Sequence, residues 1–407
     1  MAARKRIVLE LFGRFPQDTA YAVRFWDGEE RRFGPPGREP VFTVSFRHER
    51  ALRALFGSIS LGFGEGYMDG AITVEGSLEA FLRLSNAPEV QERLRALSFI
   101  ARIRIAMMVL RQRSTLARAG DNIARHYNHG NDFYTRWLDE RMMYSCAYFR
   151  ASDDTLERAQ EQKLELICRK LQLREKKRVL DIGCGWGGFA IYAAQHYKAR
   201  VLGVTLSEPQ LAEGKRRVAE AGLTHLVELR RADYRTLTEV PFEKVLSIGM
   251  FEHVGLEQHP AYFQAVDRLL ADGGTALLHT IGRMRPHKGD PWVHRYIFPG
   301  SYIPSLGECV EGIAATGQTI TDVENLRIHY AMTLDHWRAR FERQLDAVRA
   351  QGLDDRFIRM WRLYLTGSSE AFRYGGLCLW QIVSTKGLVQ DAPLTRAHLT
   401  HEQRVVL

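Results

Sequence analysis

Arg178-Val-Leu-Asp-Ile-Gly-Cys-Gly-Trp-Gly-Gly188 opens a βαβ unit. Val179, Leu180 and Ile182 read as a short buried strand, the glycines as a tight turn, and Phe189-Ala-Ile-Tyr-Ala-Ala as the helix that follows. Glycine allows the backbone to turn sharply and approach a ligand without a Cβ in the way. The open amide end of the next helix favours polar or anionic groups there. Gly183, Gly185 and Gly188 also satisfy G-x-G-x-x-G, so the loop alone specifies an adenosine-type cofactor and no more.

Strands at 178–182, 200–206, 226–231, 243–249 and 275–280, with helices between, predict an α/β domain with a parallel sheet. Thr155 to Leu173 reads as a helix with Leu164, Ile167 and Leu171 on its apolar face. Apolar segments near 319–326 and 378–383 flank a helical stretch from Leu334 to Phe372, which points to an antiparallel strand inserted in the mostly parallel sheet. Residues 1–90 read as a smaller α+β domain. It has strands at Ile7–Phe12 and Val41–Phe46, a Gly34-Pro-Pro-Gly loop, a helix over 48–56 and a turn-rich segment over 62–70. Ser77 is the expected N-cap of a helix running through Leu84. Residues 91–120 read as a helical basic linker, 121–390 as the catalytic domain and 391–407 as a polar tail.

A chain of 407 residues is long enough for two domains, and its 45% apolar and 26% charged residues are an ordinary globular balance. No apolar run reaches the roughly 18–20 residues a bilayer span needs. The basic start meets Glu10 too soon for a signal peptide. Cys146, Cys168, Cys184, Cys309 and Cys378 are scattered and form no C-x-x-C pair, so a reducing cytoplasm is expected. His126 and His129 lack the further ligands a metal requires, and no metal is expected. The net charge of +9 attracts polyanions, among which an anionic membrane surface is expected and nucleic acid is not.

A nicotinamide dehydrogenase would place an acid some 20 residues past the glycines to hold a ribose. Glu208 has that spacing but follows Ser207 in what reads as the next helical turn. Asp181 stands two residues before the first glycine, where a dinucleotide fold is usually apolar. An acid there suits a cationic donor carrying a sulfonium and an ammonium group. Asp233 and Tyr234 end the third strand, an acid and an aromatic suited to an adenine amine and ring face. S-adenosylmethionine is therefore preferred over NAD. Ligands of an open parallel sheet lie at the carboxyl ends of its strands. There the fourth strand carries Glu252 and His253, and the fifth carries His279.

Taken as an ordered set, the residues resemble the cyclopropane-fatty-acid-phospholipid synthase family. The pieces are His126-Tyr-Asn-His-Gly-Asn-Asp, Met143-Tyr-Ser-Cys-Ala-Tyr, the 179–188 loop, Gly203-Val-Thr-Leu-Ser, Gly249-Met-Phe-Glu-His-Val-Gly, Leu277-Leu-His-Thr-Ile-Gly and Tyr296-Ile-Phe-Pro-Gly. The resemblance implies a Rossmann-like class I methyltransferase domain, with a mostly parallel seven-stranded sheet and an antiparallel strand, beside a lipid-binding-like N-terminal domain. It implies methylene transfer from S-adenosylmethionine to the cis double bond of an unsaturated phospholipid acyl chain, through a carbocation deprotonated by bound bicarbonate. Cys146, Glu252, His279, Ile281 and Tyr330 match the bicarbonate residues. Tyr144, Ser145, Asp181, Gly183, Gly185, Gly187, Thr205, Leu206, Gln210, Asp233 and Tyr234 match the donor residues. A homodimer, peripheral to the inner face of the membrane, is also implied. Two other readings stay open: an acyl-lipid C-methyltransferase that makes a methylene or methyl branch, and a non-catalytic lipid-binding protein.

Overall fold

A computed structural model describes residues 2–87, 90–91, 130–390 and 393–400. The expected basic linker and the stretch carrying His126 and His129 lie almost wholly outside the described residues. The described chain forms two compact units. The first joins the N-terminal residues to Gly289–Pro299 and Leu334–Leu377. The second takes 130–288, 300–333 and the residues from 378 onward. Two segments expected inside the catalytic domain are thus part of the N-terminal unit instead.

In that first unit, β1 (Tyr21–Arg24), β2 (Glu30–Phe33), β3 (Phe42–Phe46) and β4 (Ile72–Gly76) form a sheet in the order β2-β1-β3-β4. Two expectations fail here. Ile7–Phe12 is not a strand but part of the helix Ala2–Phe12. Its buried positions are Lys5, Val8 and Phe12 while Ile7 faces solvent, a spacing of one helical turn rather than alternation. The glycine-rich segment expected as turns is the helix Ile59–Met68. Its glycines serve close packing: a Cβ on Gly64 would lie 2.2 Å from Trp292 Cδ1, one on Gly62 2.4 Å from the Ala54 carbonyl and one on Gly66 2.7 Å from Ile72 Cδ1. Ser77 caps its helix as expected, its side chain accepting from the Ala80 N–H.

The second unit holds β5 (Arg178–Ile182), β6 (Arg200–Thr205), β7 (Val227–Arg231), β8 (Phe242–Ile248), β9 (Leu270–Arg283), β10 (Thr319–Asn325) and β11 (Leu377–Thr385). Their order is β10-β11-β9-β8-β5-β6-β7. β5 pairs in parallel with β6 and β8, β6 with β7, and β8 with β9. β11 is antiparallel to β10. It also runs against β9, because contacts step from Gly273–Lys386 through His279–Gln381 to Gly282–Trp380. One late strand is thus reversed, as the sequence predicts.

The sheet's two faces are covered by separate apolar clusters. Leu164, Ile167, Phe189 and Val201 belong to one, and Leu180, Val245, Phe263 and Ile382 to the other. Part of the expected tail is attached to this unit, since Arg396 pairs with Asp322 at 3.2 Å. Among the described residues, no helix is long and apolar enough to cross a membrane.

Candidate active site

The chain leaves β5 at Ile182 and turns through Gly183 (φ +81°). The N–H groups of Gly183 and Cys184 both donate to the Val204 carbonyl of β6, at 2.9 and 3.0 Å, which pins the turn to its neighbour strand. A Cβ on Gly183 would sit 2.6 Å from the Met250 side chain, so both the φ and the space call for glycine. Above this turn lies a pocket at the carboxyl ends of β5, β6, β7 and β8. Ten of the eleven expected donor residues line it: Tyr144, Ser145, Asp181, Gly183, Gly185, Thr205, Leu206, Gln210, Asp233 and Tyr234. Gly187 does not. It takes a left-handed φ of +79° at the N-cap of the helix Gly188–Tyr197, so it shapes the loop from behind.

Asp181 is 2% exposed, and burial pushes its carboxyl up to about 7 against the opposing pull of the Lys163 charge. Asp233 is held below the usual carboxylate range although burial works against this, because Arg235 grips both its oxygens, Nε to Oδ1 at 2.9 Å and Nη2 to Oδ2 at 2.6 Å. The Tyr234 ring packs edge-on against Tyr262, with 5.6 Å between centroids. Thr205 Oγ1 donates to Gln210 Oε1 at 3.1 Å, fixing both side chains at the pocket edge. Glu208, the acid a dinucleotide would need, lies on the helix Glu208–Glu220 with 64% of its side chain exposed and is not among the pocket residues. His253 lines the pocket, and burial lowers it to about 4, so its ring is neutral at pH 7.

The five residues expected to hold bicarbonate do not line this pocket; Glu252 follows β8, and His279 and Ile281 lie on β9. Glu252 Oε1 accepts from the Ile281 N–H at 2.7 Å, while Oε2 is buried with no hydrogen-bond partner. Burial pushes the Glu252 carboxyl up to about 7, and the backbone N–H groups of Ile281 and Glu252 together with the Thr280 hydroxyl only partly offset this. His279 is fully buried, lies 3.0 Å through Nδ1 from Gln381 Nε2, and leaves Nε2 without a partner. With the Gln381 amide donating, the ring proton sits on Nε2. Burial holds His279 well below the ordinary histidine value.

Leu326, just after β10, donates its N–H to the Leu379 carbonyl of β11 at 2.8 Å. Tyr330 follows one helical turn later, its N–H bonded to the Leu326 carbonyl at 3.1 Å. The Cys146 Sγ contacts the Leu326 carbonyl at 3.8 Å, and the next residue's N–H donates to Thr333 Oγ1 at 3.0 Å. Burial pushes the Cys146 thiol far up, so it is no thiolate nucleophile.

Three features escaped the sequence reading. Lys163 donates to Ser145 Oγ at 3.0 Å from a fully buried position. Its signal was present: Gln160, Lys163 and Lys170 fall at helical spacing within the buried stripe of Leu164, Ile167 and Leu171. Trp186 donates to Asn131 Oδ1 at 2.8 Å and packs on Tyr134, which also contacts Tyr144, so an aromatic group borders the pocket. Gln381, which orients His279, sits within the apolar segment 378–383, which the sequence marks only as a strand.

Comparison with known proteins matches residues 114–382 to the mycolic acid cyclopropane synthetase family and residues 10–89 to a domain family of unknown function. The chain is 37% identical to a probable fatty acid methyltransferase of Pseudomonas putida, over 92% of this chain and 94% of that one. It is 38% identical to the cyclopropane-fatty-acyl-phospholipid synthase of Escherichia coli K12, over 83% of this chain and 86% of the relative. The crystal structure of mycolic acid cyclopropane synthase CmaA1 complexed with SAH and CTAB superposes with a TM-score of 0.62 at 34% identity, covering 66% of this chain and 98% of that one. With its class I methyltransferase sheet and this site, the chain belongs to the mycolic acid cyclopropane synthetase family and is an S-adenosylmethionine-dependent methyltransferase.

Proposed function

We propose that the chain is a cyclopropane-fatty-acyl-phospholipid synthase, which adds a methylene group across the cis double bond of an acyl chain in a membrane phospholipid. The observation that carries this reading is a buried acceptor and a buried donor, Glu252 Oε2 just after β8 and His279 Nε2 on the neighbouring β9, both without a hydrogen bond.

In this reading Tyr144, Ser145, Asp181, Gly183, Gly185, Thr205, Leu206, Gln210, Asp233 and Tyr234 hold the methyl donor, with Gly187 shaping the loop. The alkene π electrons form a bond to the donor's methyl carbon as the C–S bond breaks, and its electron pair stays on sulfur. The cation left on the second alkene carbon needs a dry surrounding, and aromatic faces such as Tyr134 and Tyr144 lower its energy. Loss of a proton from the new methyl group releases the electron pair that closes the ring. Bicarbonate, when bound, supplies a base for that proton. It offers one O–H donor and acceptor oxygens, which match Glu252 Oε2 and His279 Nε2–H. Tyr330 and the backbone near Cys146 and Ile281 complete its set, although the Ile281 N–H already serves Glu252.

The enzyme acts as a homodimer, cytoplasmic and peripheral to the membrane. The +9 charge supports contact with an anionic bilayer, as does a lipid-binding-like role for residues 1–90. A second reading is favoured by the name of the Pseudomonas relative: an acyl-lipid C-methyltransferase that makes the same cation but loses a different proton. The test is turnover of S-adenosylmethionine with vesicles of cis-unsaturated phospholipid against vesicles of saturated phospholipid. Release of S-adenosylhomocysteine only with the former supports the proposal, and release with neither would leave a lipid-binding protein.

A further inference from the structure

Lys163 lies on the helix Leu156–Lys170, with none of its surface exposed. A buried ammonium is costly unless it is bonded and balanced by charge. Its bond is to Ser145 Oγ at 3.0 Å, and Ser145 lines the donor pocket. Its balance comes from two carboxylates, Asp139 before β5 and Asp181 within it, whose charges both act on it. Asp139 is anchored in turn, accepting from the N–H groups of Met143 at 2.8 Å and Arg141 at 3.0 Å. That ties the segment leading to Tyr144 and Ser145 to the same charge cluster. Other titratable groups face it: the Cys146 thiol and the His279 ring act with Lys163, the Cys184 thiol with Asp181, and the Arg217 guanidinium with Asp139.

Resting on the reading of this pocket as the methyl-donor site, we propose that Lys163 is a positioning residue that fixes the Ser145 hydroxyl and balances Asp139 and Asp181. Asp181 ionises as pH passes about 7, and burial lowers Lys163 to about 8, so the pocket gains negative charge as pH rises. S-adenosylmethionine carries a sulfonium and an ammonium against one carboxylate, one net positive charge. The product S-adenosylhomocysteine has lost the sulfonium charge and is neutral. The added negative charge therefore favours the donor over the product. Lys163 sets how strongly that difference is expressed, because without it Asp181 takes up a proton. Its charge also reaches His279, which it helps to keep neutral.

The test is calorimetric binding of S-adenosylmethionine and of S-adenosylhomocysteine to the full chain from about pH 6 to about pH 9. In the unaltered protein, donor affinity should rise with pH through a midpoint near the Asp181 value of about 7. In Lys163→Met the midpoint should move upward, so that donor affinity falls roughly tenfold at neutral pH and recovers near pH 9. Asp181→Asn should abolish the pH dependence, and adding Lys163→Met to it should move no midpoint. Lys163→Gln, closer in polarity, takes the place of Lys163→Met if the latter does not fold. An unchanged midpoint, or an equal loss at every pH, would overturn the proposal by making Lys163 merely structural. Failure of the unaltered protein to bind the donor would instead remove the pocket reading beneath it.

Discussion

Replacing Glu252 with glutamine separates the catalytic use of this carboxylate from its cost to the fold. The Gln oxygen can keep the bond from the Ile281 N–H, now 2.7 Å long, so the local geometry is preserved. The native carboxyl titrates near 4.5 when solvated and near 7 in the folded chain. Between those values the folded state holds a proton that the unfolded state has lost. Stability therefore falls as pH rises through that window and stays lowered above it. A difference of two to three pKa units corresponds to about 3 kcal/mol at full ionisation. Glu252→Gln carries no such term and should be more stable than the native chain by up to about 3 kcal/mol at pH 8, and by almost nothing near pH 4. Urea unfolding at both pH values, followed by circular dichroism, reads this difference. Turnover should fall by about 10²–10⁴, the usual worth of a positioned acid–base group, with donor affinity nearly intact. A variant that is less stable at pH 8, or that loses donor binding and turnover together, would refute the reasoning and make Glu252 a structural residue.

Cys146→Ser should keep turnover within a few fold, because the fully buried thiol stays protonated and the expected contact is made by backbone; a loss beyond about 10²-fold in the vesicle assay would mean a chemical role for sulfur. Gly64→Ala should destabilise the N-terminal unit by about 1–3 kcal/mol by thermal unfolding, since a contact 2.2 Å from the Trp292 ring outweighs the roughly 1 kcal/mol that alanine adds to a helix. Depleting dissolved carbonate should slow turnover, and adding bicarbonate should restore it, with donor binding by calorimetry unchanged throughout; a rate indifferent to bicarbonate would assign the proton to Glu252 itself.

Much of this site can be read in the chain because its residues cluster at strand ends that the apolar periodicity marks. The glycine turn, Asp233 and Glu252 each follow a strand of the parallel sheet, and Asp181 lies near the end of one. What escaped was set by packing across elements. Ile7–Phe12 is apolar enough for a strand, and only its neighbours decide that Val8 and Phe12 turn inward on a helix. The glycines of Ile59–Met68 look like turns until Trp292, more than 200 positions away, is seen to fill the space beside Gly64. Lys163 and Gln381 are polar residues at core positions, and their partners Ser145 and His279 lie on other elements. Gly187 matches the family pattern, yet its backbone conformation rather than its contact with the pocket accounts for it.

Ring-closing methylene transfer is read by carbon and proton NMR of phospholipid recovered after reaction with S-adenosylmethionine labelled with ¹³C in the methyl group. Label is expected in the upfield methylene of a cis-cyclopropane, still bearing two of its three original hydrogens. Label in an exocyclic methylene or in a branch methyl group would contradict it.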